Sequence, residues 1–131
     1  MSVLTDMRDY LSGLDLGVPI YAGNLPPKPA NCVALFEYQG IPPEDGYTTT
    51  PGVQLLLRTD DFKAGYEILE KASRALLKIG HEDGEKAEGA VINGSLYLKI
   101  YTPGSGINQL GKDDNGNSLL SKNFYVIRGG L

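Results

Sequence analysis

The segment GINQLGKD, from Gly106 to Asp113, comes within one residue of the phosphate-binding pattern GxxxxGK[ST]. In that loop, backbone N–H groups cradle phosphates, the lysine reaches the outer ones and the hydroxyl holds magnesium. The pattern needs a strand running directly into a helix, because the helix N-terminus and its dipole supply much of the anion affinity. Here Asp113-Asp114-Asn115-Gly116-Asn117-Ser118 follows, and then an apolar strand-like run. Asp113 also places a carboxylate where the hydroxyl should stand, and its charge opposes phosphate oxygens. The segment therefore reads as a surface loop. A nucleotide-binding or hydrolase role resting on Lys112 is the minor alternative.

Other groups that could do chemistry have plainer explanations. Asp113 to Asn117 alternates Asp and Asn oxygens as calcium loops do. The calcium pattern, however, wants glycine sixth and glutamate twelfth, where Ser118 and Phe124 stand. A turn ahead of a strand accounts for it. His81-Glu82-Asp83 follows a helical pattern, and a helix C-terminus favours a cation. With one histidine and one cysteine in the chain, neither a zinc cage nor a Ser-His-Asp or Cys-His arrangement has support. Cys32 lies in the apolar run Cys32-Val33-Ala34-Leu35-Phe36 and reads as a small buried hydrophobe. Asn93-Gly94-Ser95 matches a glycosylation acceptor but is explained by a hairpin turn. No catalytic residue, cofactor site or metal site emerges, and the protein is expected not to be an enzyme.

The 131 residues, 41% hydrophobic and 21% charged, fit one ordinary folded domain with a real core. Sixteen acidic against twelve basic residues give a net charge of -4, which excludes general affinity for nucleic-acid backbones. MSVLTDMRDYL has acids and no long apolar stretch, so it does not read as a secretory signal. No apolar run approaches the roughly 18 residues of a membrane helix. A lone thiol fits a reducing compartment, and the expectation is a soluble intracellular protein.

The elements that would hold such residues follow from periodicity. Val3, Leu4, Met7, Tyr10, Leu11 and Leu14 recur at helical spacing, with Asp6, Arg8 and Asp9 on the other face. Val18 to Tyr21 predicts a short strand before the proline-rich turn Gly23 to Pro29. Asn31 to Tyr38 and Val53 to Arg58 predict strands, separated by a long exposed loop from Ile41 to Gly52. Thr59-Asp60-Asp61 supplies helix caps. Phe62, Tyr66, Leu69, Ala72, Leu76 and Leu77 then form the apolar stripe of a second helix, closed by Gly80. Ala90 to Ile92, Asn93-Gly94 and Ser95 to Tyr101 predict a hairpin with Leu96, Leu98 and Ile100 on one face and Tyr97, Lys99 and Tyr101 on the other. Thr102 to Ser118 is read as loop, and Asn123 to Arg128 as the last strand. The expected fold is α+β, a single domain over 1–131 with a mainly antiparallel, mixed sheet against two helices.

Two long loops on a rigid sheet, Gln39 to Gly52 and Thr102 to Ser118, together with tyrosines such as Tyr38, Tyr47 and Tyr101, point to binding rather than catalysis. The stretches YAGNLPPKPANCVALFEYQGIPP, VQLLLRTDDFKAGYEILEKASRALL and LGKDDNGNSLLSKNFYVI together resemble the small phage minor capsid proteins that act as tail terminators. The features that carry the resemblance are the Gly23-Asn24-Leu25-Pro26 turn before a strand, Arg58 leading into an acidic helix start with Gly65-Tyr66, and Leu110-Gly111 with Asp113 or Asp114 before the final strand.

The resemblance implies a non-enzymatic virion protein without cofactor. Such a protein caps the tail tube, usually as a homo-hexameric ring, ends tube polymerisation and offers a joining surface to the head connector or stopper. Its partners would be other copies of itself, the tail tube protein and the connector. DNA would pass the lumen without specific binding, which suits the negative net charge. The protein would sit at the head-tail junction of the virion after assembly in the host bacterial cytoplasm. Candidate contact residues are Gln39, Ile41, Tyr47, Tyr101, Ile107, Leu110, Lys112 and Asp113. A head-completion or neck protein of similar size is the rival within virion assembly, and a monomeric cytosolic binding domain lies outside it.

Overall fold

Ser2 caps the first helix, its hydroxyl accepting a hydrogen bond from the Thr5 amide at 3.1 Å, and α1 runs Val3–Ser12. The computed structural model describes residues 2–41, 48–81, 86–104 and 106–129. After α1 come β1 (Ile20–Ala22), β2 (Cys32–Ile41), β3 (Thr50–Thr59), α2 (Phe62–Leu77), β4 (Ala90–Ile92), β5 (Ser95–Tyr101), β6 (Asn108–Lys112) and β7 (Ser118–Arg128). The strands form one sheet in the order β1-β2-β3-β7-β5-β4, with β6 added to β7. Only β1 and β2 run parallel. The fold is α+β, as the periodicity predicts.

Strand alternation sends one set of side chains to each face. Val33 and Leu35 of β2, Val53, Leu55 and Leu57 of β3, and Leu120, Phe124 and Val126 of β7 share a face and are buried. Met7 and Leu11 of α1 and Leu69, Ala72 and Leu76 of α2 join the same core, so both helices lie on this side. Each large apolar side chain there contributes about 1.5–3 kcal/mol by leaving water. The opposite face carries Cys32, Ala34, Phe36 and Tyr38 of β2, and Gly52, Gln54, Leu56 and Arg58 of β3. On β7 it carries Leu119, Ser121, Asn123 and Tyr125. Among the described residues no helix covers it.

Strand β7 is the spine. Its first edge pairs with β3 from Ser118 to Tyr125, while its second edge is shared by β6, opposite Ser118 to Ser121, and β5, opposite Tyr125 to Arg128. The segment expected to be loop between Thr102 and Ser118 therefore contains a strand. All five residues of β6 are exposed, so no burial pattern marks it in the sequence.

Several expected faces shift. Between Tyr97 and Lys99 the β5–β7 register slips, because two steps along β5 match one along β7. That bulge puts Tyr97 and Ile100 on the core side together, and Tyr97 is fully buried rather than outward. Asp6, expected on the polar face of α1, is also fully buried. On α2 the inward line is Gly65, Leu69, Ala72 and Leu76. Gly65 lies so close to β3 that a β-carbon would come within 2.5 Å of Thr59 Cγ2. This approach turns Phe62 outward, against the ring of Tyr66. Of the loop expected from Ile41 to Gly52, residues 42–47 lie outside the described residues, and Thr50, Pro51 and Gly52 belong to β3. Pro51 falls opposite the irregular register between Tyr38 and Ile41, a place where a missing donor is tolerated.

No helix among the described residues is long and apolar enough to cross a membrane.

Candidate functional site

Three polar arrangements could do chemistry, and each is used internally. The first joins α1 to the far end of the sheet. Tyr97 donates its phenolic hydrogen to the buried Asp6 carboxylate, Asn93 Nδ2 donates to Asp6 Oδ1 and to Asp9 Oδ2, both at 2.9 Å, and Arg128 Nη2 lies 4.0 Å from Asp6 Oδ2. The Arg128 guanidinium also sits over the Tyr97 ring, 5.6 Å from its centroid, and donates to Ser95 Oγ at 3.1 Å. Burial first, and then the hydrogen bond to Asp6, push the Tyr97 phenol well above its ordinary value of 10.0. A phenol held protonated against a fully engaged carboxylate is a structural tie.

The second arrangement is Arg58, nearly buried on the helix-free face. Its Nη2 donates to the carbonyls of Pro26 and Pro29 at 2.6 and 2.5 Å, and its Nε to Ala30 at 3.3 Å. One planar guanidinium thus holds the proline-rich segment, whose own prolines cannot donate. Cys32 Sγ lies 3.5 Å from Nη2, and burial pushes its thiol up, the reverse of an activated nucleophile.

The third is the Asp113 turn. Oδ1 accepts from the amides of Asn117 at 2.8 Å and Asn115 at 2.9 Å, and Gly116 takes a positive φ of 80°. Hydrogen bonding, led by the Asn117 amide, holds the Asp113 carboxyl below its ordinary value of 3.8. The chain continues from this turn into β7, so the phosphate-loop resemblance has no helix behind it. Among the described residues, no group of three His, Cys, Asp or Glu side chains could hold a metal ion. Glu82 and Asp83, the acids beside His81, lie outside the described residues.

The candidate contact residues separate into two groups and a middle. Gln39 and Ile41 lie at the Arg128 end of β7. With Ser2, Thr49, Thr50 and Arg128 they line an open cleft, and Ile41 is 41% exposed. Leu110 and Lys112 lie at the opposite end on β6, both exposed, with Asp113 shaping the turn beyond them. Seven residue steps of β7 separate Ser121 from Arg128, roughly 23 Å at the usual rise of a strand. Ile107 is half-buried against the core and anchors the approach to β6. Tyr47 lies outside the described residues.

Tyr101 belongs to neither end. It pairs with Tyr125, Tyr125 with Gly52, and Gly52 with Tyr38, so one row crosses four strands on the helix-free face. The Tyr101 and Tyr125 ring centroids are 5.4 Å apart and those of Tyr125 and Tyr38 are 5.9 Å apart. Gly52 has no side chain in this row, and the Tyr38 ring crosses it to donate its hydroxyl to the Phe124 carbonyl at 3.1 Å. Sequence reasoning singled out Tyr38 and Tyr101 but missed Tyr125 and Gly52, because only the register joins them.

The architecture matches a solved virion component. A chain from a structure titled as the virion of a native gene transfer agent particle superposes with a TM-score of 0.67, covering 98% of this chain and 96% of that one at 15% identity. That likeness concerns the fold. No curated protein sequence matches the chain. The family profile described as bacteriophage tail terminator protein matches residues 10–128, and the chain belongs to this family. It is thus a structural protein of the virion, and the match spans nearly every element from α1 to β7.

Proposed function

We propose that this chain caps the phage tail tube, ends tail polymerisation and forms the joining surface to the head connector. The observation that carries the reading is the family match over residues 10–128, which takes in the sheet and both groups of exposed candidates. A protein that joins two unlike partners needs two separate contact regions. The Gln39–Ile41 cleft and the β6 margin lie at opposite ends of β7 and meet that need. The tyrosine row between them supplies the large, stiff, amphipathic side chains that interfaces favour.

The working form is a homo-hexameric ring on the tube tip, with DNA passing through a lumen it does not grip. The net charge of -4 disfavours retention of a polyanion. No cofactor enters the reading, and the polar clusters of the fold serve as ties. Electron microscopy of lysates from a phage lacking this gene tests it. Overlong tails without heads are expected. Tails of normal length beside unjoined heads would move the protein to the neck, and normal virions would overturn an assembly role.

A further inference from the structure

The dipeptide Asn-Gly occurs twice, as Asn93-Gly94 between β4 and β5 and as Asn115-Gly116 between β6 and β7, and both asparagines are exposed. Asparagine before glycine is prone to react with itself, because a residue without a β-carbon leaves its backbone nitrogen unhindered to approach the asparagine side-chain carbon. The two turns hold this same pair in different bonds.

At the first turn the side-chain amide is held. Asn93 Nδ2 donates to Asp6 Oδ1 and to Asp9 Oδ2, both at 2.9 Å, and Asp6 is fully buried. Turning Asn93 Cγ toward the Gly94 nitrogen breaks both bonds and takes a donor from a carboxylate in the core. Loss of the Asp6 bond alone slows the step by roughly ten- to a hundredfold. Negative charge developing on the attacked amide also faces two carboxylates.

At the second turn the restraint lies on the nitrogen. Gly116 N–H donates to the Asp113 carbonyl at 3.1 Å, whereas Gly94 N–H has no backbone acceptor among the described residues. This counts against Asn115, but a neutral bond in an exposed turn slows the step by only roughly two- to tenfold. The Asn115 side-chain amide has no hydrogen-bond partner among the described residues, since only its backbone N–H bonds to Asp113 Oδ1. The clamp on Asn93 is the stronger restraint.

We propose that Asn115 is a site of spontaneous modification to aspartate and isoaspartate, and that the Asp6 and Asp9 carboxylates protect Asn93 from the same reaction. Hydroxide from solvent removes the Gly116 amide proton, and the nitrogen forms a bond to Asn115 Cγ. The Cγ–Nδ2 bond breaks, ammonia leaves with a proton from water, and a cyclic succinimide remains. Water then opens the ring at either carbonyl, so the net change is amide plus water to acid plus ammonia. Opening at one carbonyl gives aspartate, and at the other isoaspartate, which adds a carbon to the backbone. The turn is closed by Asp113 N–H to the Asn117 carbonyl at 2.9 Å and by Asp113 Oδ1 to the amides of Asn115 and Asn117, and it joins Lys112 to Ser118, the end of the β6–β7 ladder. An added backbone carbon breaks that spacing and loosens β6, while aspartate leaves the backbone as it was.

The test incubates the full chain, folded and in denaturant, at mildly alkaline pH, with peptide mass spectrometry locating the gain of acid for amide. In the folded chain Asn115 should convert at least about tenfold faster than Asn93, the difference expected from the Asp6 bond, and in denaturant the gap should close. Conversion of Asn93 at an equal or higher rate in the folded chain, or a gap that persists in denaturant, would overturn the assignment. Asp6→Asn, with folding checked by thermal melting, makes the clamp neutral and should speed conversion of Asn93 several-fold; an unchanged rate would overturn the protecting role. Hydrogen exchange over residues 108–112 should quicken in the isoaspartate fraction and stay as in the parent in Asn115→Asp. Equal exchange in both would overturn the loosening of β6.

Discussion

The Tyr38 ring lies across Gly52 on the neighbouring strand, so closely that a β-carbon on Gly52 would come within 2.5 Å of its Cε2 and Cζ atoms. The ring cannot simply swing away, since its hydroxyl is bonded to the Phe124 carbonyl one strand further on and its face meets Tyr125. Gly52→Ala should therefore destabilise the fold by about 1–3 kcal/mol, the usual cost of overfilling a packed site. In a Tyr38→Ala background the same change should cost much less, because the two positions share one volume. Denaturant midpoints of the four proteins measure this, and additive effects would show that the ring yields freely.

Arg58 gives a second prediction. Arg58→Ala leaves the carbonyls of Pro26, Pro29 and Ala30 without their charged donor, and should lower stability by about 2–3 kcal/mol. Arg58→Lys should recover only part, because an ammonium placed at the Pro26 and Pro29 carbonyls, both served by Nη2, gives up the separate Nε donor to Ala30. Proteolysis within residues 23–31 should speed up in both variants, with the alanine variant faster.

Alkaline stability should report on Tyr97. Its folded value is raised above 10.0 by burial and by its bond to Asp6, so below pH 10 the phenolic proton is held in folded and unfolded chains alike. Above that pH the unfolded chain ionises first, and stability falls as pH rises through this window toward the folded value. Tyr97→Phe should flatten the alkaline fall while lowering stability at neutral pH by about 1–3 kcal/mol, because Asp6 loses a buried donor. Thermal melts at pH 8 to 11 distinguish the two effects.

The Asp113 turn should behave oppositely. Its carboxyl is held below 3.8 by the Asn117 amide above all, so its contribution is present above that value and is lost as pH falls through the lower folded one. Carboxyl titration by nuclear magnetic resonance should find Asp113 below 3.8, with the Asn115 and Asn117 amide shifts moving at the same pH. An Asp113 titration at the ordinary value would refute the turn geometry.

A functional prediction concerns Leu110. Because it is exposed and touches no core, Leu110→Asp should change stability by less than about 0.5 kcal/mol. Complementation of a phage lacking the gene should nevertheless yield overlong tails. Normal tails from this variant would remove β6 from the assembly contacts.

Much of this fold is readable from periodicity. The α2 stripe and the Asn93-Gly94 hairpin state their structure locally, because the helix repeat and the turn chemistry are complete within a few residues. β6 is unreadable for a matching reason. A strand exposed on both faces has no apolar alternation to display, and Asn108 to Lys112 looks like loop until β7 is placed beside it. Asp6 and Tyr97 defeat the pattern together, since the burial of each is offset by a bond to the other, 91 positions away, with Asn93 and Arg128 completing the cluster. The tyrosine row depends on three registers at once, and no single strand contains it.

The place of β7 in chain order has a consequence for synthesis. β3 leaves the ribosome long before its partner, and until Ser118 to Arg128 follows, the middle of the sheet is two unjoined halves, β1-β2-β3 on one side and β4-β5 on the other. Contacts so distant in sequence form late. The tyrosine row and the open margin of β6 both require β7, so a nascent chain shows neither.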